Sequence, residues 1–114
     1  MRIINQTRNT TLITNARVAN TFWLRLRGLL GSTPLKTGEG LVLVGVKSIH
    51  TLFMTFSIDI VYVDKNYSVI ELAEDMVPYR LGSYVSQCAY VLEMPVGTIA
   101  DTVTTIGDQL QFEQ

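Results

Sequence analysis

The stretch IDIVYVDKNYSVIEL, residues 58–72, carries the clearest structural pattern in the sequence. Its first seven residues form a largely apolar run, short enough for a strand buried on both faces. A polar turn at residues 65–67 leads into a second run from Ser68, and this arrangement predicts a β-hairpin. Side chains alternate along a strand, so the first run divides into two faces: Ile58, Ile60 and Tyr62 on one, and Asp59, Val61 and Val63 on the other.

The rest of the chain shares this preference for strands. Val, Ile and Thr make up 34 of the 114 residues, and their β-branched side chains pack well on pleated sheets. Further strands are predicted at residues 1–6, 11–17, 40–46, 90–94 and 109–113. We expect the first two to pair around a turn at residues 8–10. The predicted fold is mainly β, a small single-domain β-sandwich or partly open barrel over residues 1–114.

One α-helix is predicted in the N-terminal half, over residues 21–30. Apolar side chains recur there at helical spacing, Asn20 is placed as an N-cap, and Gly31 suits a left-handed C-terminal stop. A shorter helical turn is predicted to begin at Thr98, where Asp101 takes the place of Glu or Gln in a capping box.

Composition and charge exclude several classes of protein. Nine basic residues against ten acidic ones leave a net charge of −1, and the basic residues are scattered, which argues against a nucleic-acid partner. No apolar run approaches the roughly 20 residues of a membrane span, and no secretory leader is recognised. A cytoplasmic location is therefore expected. The one cysteine, Cys88, precludes an internal disulfide.

Asp59 is the most informative polar residue, because its apolar surroundings predict burial. A buried carboxylate requires donors, and the candidates are His50, Arg80, nearby hydroxyl groups and backbone amides of the preceding loop. In a structural interpretation, Asp59 accepts backbone amides of residues 51–57. In a functional one, His50 and Asp59 form a polar spot in a dry pocket, as acid and base candidates. The structural interpretation is favoured because satisfied buried polar groups are common.

Three further positions carry possible chemistry. Glu93 alternates with Leu92 and Met94, so it should face solvent or the rim of a cleft if those two residues lie in the core. Cys88 is interpreted as a small apolar residue rather than a nucleophile. Tyr79 and Arg80 follow Pro78 in a turn that suits recognition. The single histidine and dispersed carboxylates show no metal-ligand spacing, so neither a metal nor another cofactor is predicted.

An ordered series of short motifs resembles a known family. The motifs are LRLRGLLG (24–31), GLVL (40–43), IHT (49–51) with Met54, IDIVYVD (58–64), PYR (78–80), VLEMP (91–95) with Gly97, and GD (107–108). Together they resemble the DUF192 family, also called UPF0127, over nearly the whole chain. The resemblance implies a small, mainly β domain with a helix near its start. It transfers no catalytic residue, since the family is known chiefly as a domain of unknown function.

The favoured function is a non-catalytic binding or accessory module for a small molecule or a protein. Its predicted cleft is lined by His50, Met54, Asp59, Tyr79, Arg80 and Glu93. One alternative is a small hydrolase that uses His50 with Asp59 or Cys88. Another is a structural β domain that pairs through its edge strands. A monomer or weak homodimer is expected.

Overall fold

The computed structural model describes residues 1–20, 34–49 and 55–114, which form eight strands and one short helix. In chain order these are β1 Arg2–Asn5, β2 Thr10–Ile13, β3 Asn15–Ala19, β4 Glu39–Val44, β5 Ile58–Asp64, β6 Val69–Met76, β7 Cys88–Pro95, α1 Thr98–Thr102 and β8 Leu110–Glu113. The predicted mainly β class is confirmed. The helix predicted over residues 21–30 lies outside the described residues, and the one helix within them is close to the C-terminus.

The strands form two sheets. One has three strands in the order β2-β1-β8, and the other has five in the order β3-β4-β7-β5-β6. Neighbouring strands run antiparallel except for β3 and β4, which are parallel. Strand β7 is the middle strand of the five, so its residues are flanked by β4 and β5.

The inner face of the five-stranded sheet packs against the three-stranded sheet and α1. Val61 and Val63 of β5 join Ile3 of β1, Leu110 of β8 and Ile99 of α1 in one buried apolar cluster. Burying such side chains contributes about 1.5–3 kcal/mol each relative to leaving them exposed. This shared core holds the two sheets together.

The far face of the same sheet carries a second buried cluster, which includes Ile58, Ile60 and Tyr62 of β5 and Val91 of β7. Partly buried side chains from several described segments pack on it: Leu35, Val46, Phe56, Ile70, Ala73, Met76 and Val85. The predicted division of β5 into two faces is therefore confirmed, and so is its burial on both.

The hairpin predicted from residues 58–72 is formed by β5 and β6. Asp64 Oδ1 accepts the amides of Asn66 and Ser68, both at 2.9 Å, so the side chain of Asp64 closes the turn. Tyr67 adopts a left-handed φ of 64° in that turn. Strand β6 continues to Met76, four residues beyond the predicted end.

The predicted strand over residues 11–17 is wrong in one respect, because the chain changes sheet at Thr14. Strand β2 ends at Ile13 in the three-stranded sheet, and β3 begins at Asn15 in the five-stranded one. The amides of Thr14 and Asn15 both donate to the carbonyl of Gly38, at 2.9 and 3.0 Å. A contact 24 residues away in sequence therefore breaks the strand, and a pattern limited to residues 11–17 does not show it.

Candidate functional site

Asp59 is fully buried and accepts three backbone amides. Its side chain is 1% exposed. Oδ1 accepts the amide of Asp75 at 2.8 Å, and Oδ2 accepts the amides of Gly97 at 3.1 Å and Ile99 at 3.0 Å. Asp75 lies in a β-bulge of β6, and Gly97 is the N-cap of α1. One carboxylate thus fixes a bulge and caps a helix.

The predicted burial of Asp59 is confirmed, whereas the observed donors differ from those expected. The donors seen lie in β6 and at the start of α1, and residues 55–57 are not among them. Residues 51–54 of the predicted donor segment lie outside the described residues. The helix predicted to begin at Thr98 is confirmed, but Asp101 does not form the expected capping box. The Asp101 amide donates to the Gly97 carbonyl, and Thr98 Oγ1 donates to Pro95.

Glu93 corrects a second prediction, because it is buried where solvent or a cleft rim was expected. Leu92 and Met94 do lie in the inner core, and Glu93 points to the far face with only 4% exposure. It lies opposite Leu41 of β4 and Ile60 of β5. The alternation was correct, but the central strand is covered on both faces. The described side chains beside Glu93 across the strands are therefore apolar, and Glu93 is shielded from water.

The electrostatic state of Glu93 follows from this position. Burial raises the pKa of Glu93 from 4.5 to about 7, since the ionised form loses its hydration. Its Oε2 atom has no hydrogen-bond partner among the described residues. Buried polar atoms without partners are few in folded proteins, so this one requires an explanation.

Tyr62 is another buried polar residue on the far face, and it was not among the site residues predicted from the sequence. Its ring is 1% exposed, and within the described part of the chain its hydroxyl also lacks a partner. Burial raises the pKa of Tyr62 to about 12, with smaller contributions from Cys88, Glu71 and Glu93. Tyr62 pairs with Val91 and Ile60 pairs with Glu93, which makes Tyr62 and Glu93 diagonal neighbours on one face.

The backbone at Gly82 approaches the hydroxyl of Tyr62 closely. A Cβ atom at position 82 would lie 2.8 Å from Tyr62 Oη and 3.0 Å from the carbonyl oxygen of Ile49. The amide of Gly82 donates to that carbonyl at 2.8 Å, and the amide of Val85 donates to the backbone carbonyl of Lys47 at 2.8 Å. Absence of a side chain at Gly82 lets this segment lie against the tyrosine.

Cys88 also belongs to the far face and is 2% exposed. Its thiol donates to the carbonyl of Tyr90 at 3.2 Å. Burial raises the pKa of Cys88 above its usual value, and the backbone of Val63 and Tyr90 and the positive charge of Lys47 offset only part of that rise. A thiol in this state is a poor nucleophile, which agrees with its interpretation as a small apolar residue.

The remaining predicted site residues are distributed as follows. Tyr79 and Arg80 lie in an exposed loop between β6 and β7, where Tyr79 is 65% exposed and has a left-handed φ of 63°. His50 and Met54 lie outside the described residues. Asp59 faces the inner core while Glu93 faces the opposite side of the sheet, so these two carboxylates do not share one cleft.

With this geometry established, comparison with known proteins identifies the family. The model of the DUF192 family, described as "Uncharacterized ACR", matches residues 3–112. The chain belongs to the DUF192 family. This result confirms the resemblance predicted from the motif series.

Individual relatives agree with the DUF192 assignment. A UPF0127 protein of Thermococcus sibiricus is 30% identical over 115 residues, which cover 97% of this chain and 74% of the relative. A crystal structure of a protein of unknown function from Novosphingobium aromaticivorans has a TM-score of 0.84 at 20% identity, covering 97% of this chain and 82% of that one. A Sinorhizobium meliloti structure, described as a candidate transcription regulator, has a TM-score of 0.78 at 20% identity, covering 96% and 89%. The two structural likenesses show the fold alone.

The described residues of this DUF192 chain contain neither a cluster of metal ligands nor a membrane-spanning helix. Across residues 1–20, 34–49 and 55–114, no three side chains of the His, Cys, Asp or Glu type are grouped so that they could hold a metal ion. Over the same residues, no helix has the length and apolar character needed to cross a bilayer. Glu93 and Tyr62 therefore remain the described polar groups that most need a functional explanation.

Proposed function

We propose that this DUF192 chain is a non-catalytic binding module whose far face takes a small ligand through Glu93 and Tyr62. The observation that carries the proposal is the pair of buried, unpartnered polar atoms, Glu93 Oε2 and Tyr62 Oη, among the described residues. Each such atom costs about 1–3 kcal/mol when it is left without a hydrogen bond. A ligand that supplies the missing bonds recovers this free energy on binding.

The surroundings of the two atoms suit a ligand site. Leu41, Ile60 and Val91 line the same face and are buried. Small-molecule sites are mostly apolar, with a few polar groups that fix the orientation of the ligand. Tyr79 and Arg80 would contact the ligand from the exposed loop. Asp59 would act indirectly, by holding β6 and α1 in position. His50 and Met54 keep their place as sequence predictions.

The test is a thermal-shift screen of the intact chain against small amides, alcohols, amines and divalent metal ions. We expect at least one compound to raise the melting temperature of the wild type, and Glu93→Gln and Tyr62→Phe to reduce that shift. Glu74→Gln is the matched control, because Glu74 is an exposed glutamate of β6. A screen without hits, or hits that ignore both substitutions, would contradict the proposal.

The hydrolase alternative has less support among the described groups. Asp59 is committed to three amides, and the buried thiol of Cys88 has a raised pKa. A pKa near 7 does suit a general acid or base, which makes Glu93 the described group best placed for proton transfer. Ester hydrolysis by the wild type that disappears in Glu93→Gln would favour the enzyme over the binding module.

A further inference from the structure

Among the described residues, the side chains on the far face that can carry a negative charge are Tyr62, Glu71, Cys88 and Glu93. Cys88, Glu71 and Glu93 each add to the raised pKa of Tyr62, and Glu93 lies diagonally across from Tyr62. Lys47 is the basic residue that acts on Cys88, and its ammonium group donates to the carbonyls of Ser86 at 2.9 Å and Cys88 at 3.1 Å. Lys47 is thus committed to the backbone.

The described neighbours of Glu93 across the strands do not compensate a negative charge. Leu41 on β4 and Ile60 on β5 are apolar, and Tyr62 stays neutral because its pKa is about 12. Burial is the cause of the raised pKa of Glu93. Ionised Glu93 is therefore a buried acceptor that needs a positive donor, since an isolated carboxylate is costly in an apolar setting.

This inference rests on the proposed function and specifies its ligand. We propose that the far face binds a small organic cation, an alkylammonium ion, whose ammonium group donates to Glu93 Oε2 and Tyr62 Oη while its alkyl part contacts Ile60 and Val91. An ammonium group carries three donors and no acceptor, so it can donate to both oxygens at once. A neutral donor would satisfy the hydrogen bonds and leave the charge uncompensated. A metal ion fits less well, because the described residues offer no group of three ligands.

The pH dependence of binding follows from the same geometry. An alkylammonium ion binds the ionised form of Glu93, whose pKa is about 7 in the free protein. Affinity therefore rises as Glu93 loses its proton and levels off above pH 8. Between pH 6 and pH 8 the ionised fraction changes about tenfold, and the dissociation constant should fall by the same factor.

The experiment titrates three probes of one size and different charge: n-butylammonium, n-butanol and butyrate. Binding is followed by NMR on protein labelled with ¹³C at the glutamate carboxyl groups and the tyrosine rings. We expect saturable binding of n-butylammonium that is about tenfold tighter at pH 8 than at pH 6 and that lowers the pKa of the Glu93 carboxyl group. Glu93→Gln should abolish the preference for the amine, and Glu74→Gln should preserve it. The carboxyl titration of the wild type decides the matter even if Glu93→Gln does not fold.

The outcomes separate the two proposals. Equal binding of n-butanol and n-butylammonium, followed at the Glu93 and Tyr62 signals, would contradict the proposal that the ligand is a cation. It would still support the proposal that the chain is a binding module. Preferential binding of butyrate would also overturn the cation. If no probe of any charge moves these signals, both proposals fail.

Discussion

Asp59 and Glu93 are two buried carboxylates in neighbouring strands, and they differ in how far their oxygens are hydrogen-bonded. They are one step apart in register, since Asp59 pairs with Met94 and Ile60 pairs with Glu93. On the inner face, Asp59 accepts three backbone amides. On the far face, Glu93 Oε2 has no hydrogen-bond partner among the described residues, and the pKa of Glu93 is raised. Burial is similar at both sites, so the supply of hydrogen-bond donors is what distinguishes the two carboxylates.

The largest effect is expected from Asp59→Asn. The substitution keeps the shape of the side chain but replaces one acceptor oxygen with a donor, which then faces a backbone amide. We expect the free energy of unfolding to fall by about 3–5 kcal/mol, because buried donors are left unsatisfied. Urea denaturation measures this loss.

Asp101→Asn is the matched control for that experiment, since Asp101 is exposed in the first turn of α1. Its loss should stay within about 1 kcal/mol, the usual size of an interaction with the helix dipole. A similar loss for both variants would mean that the three amides of Asp59 contribute little.

The second effect is the dependence of stability on pH through Glu93. Its pKa is about 7 in the folded protein against 4.5 ordinarily, so the folded state holds a proton that the unfolded state releases in that interval. The free energy of unfolding should therefore fall by roughly 3 kcal/mol as pH rises from about 4.5 to 7, and change little above that range. Urea denaturation across this range measures the slope.

Glu93→Gln should remove this slope, and Glu74→Gln should keep it. The difference between the wild-type and Glu93→Gln curves isolates Glu93 from other titrating groups. A difference curve that is flat, or that rises with pH, would show that Glu93 is not a poorly solvated acid. The comparison with Asp59 would then lose its basis.

A third effect tests how closely the backbone covers Tyr62. Gly82→Ala should cost about 1–2 kcal/mol, because the new methyl group would meet Tyr62 Oη at 2.8 Å in a packed region. In a Tyr62→Phe background the cost should fall, since the clashing oxygen is gone. A double-mutant cycle measures this coupling, and Ser83→Ala, at an exposed neighbouring position, is the control. Additive effects would indicate that Gly82 and Tyr62 do not touch.

Local signals explain what the sequence predicted correctly. The β5–β6 hairpin depends on a turn closed by Asp64 with amides two and four residues away, so a short window contains its cause. The burial of Asp59 followed from its apolar neighbours. Its partners did not, because Gly97 and Ile99 are 38 and 40 residues away in sequence. The same distance effect hides the break at Thr14, which depends on Gly38.

The mistake at Glu93 has a different physical origin. Alternation along β7 was interpreted as one buried face and one wet face, which holds for many antiparallel sheets. Strand β7 lies at the centre of a sheet covered on both sides, so its second face is also apolar. Tyr62 offered a usable signal, because a tyrosine in a strand buried on both faces requires a hydrogen-bond partner. A partner for the Tyr62 hydroxyl would have to come from outside the strand, as the donors of Asp59 do.

The smallest effect concerns Asp108, a third buried carboxylate, which is satisfied by side chains. Burial raises its pKa, but hydrogen bonds from Asn5, Arg8 and the Thr105 amide outweigh that effect and lower the pKa below its usual value. Asp108 therefore contributes stability above its unfolded pKa that is lost as pH falls through the folded one, opposite in sign to Glu93.

Arg8→Ala should cost about 0.5–1 kcal/mol at neutral pH, because Arg8 is partly exposed, and it should move acid unfolding to higher pH. Arg2→Ala removes a more exposed ion pair with Glu113 and should move that transition less. Acid titration followed by circular dichroism compares the two variants. Equal shifts would mean that burial of Asp108 does not strengthen its ion pair with Arg8. The favourable state of Asp59 would then depend on its backbone amides and could not be generalised to side-chain donors. A larger shift for Arg8→Ala would show that side-chain donors also stabilise a buried carboxylate. Asp108 would then stand with Asp59, in contrast to Glu93, which lacks such donors among the described residues.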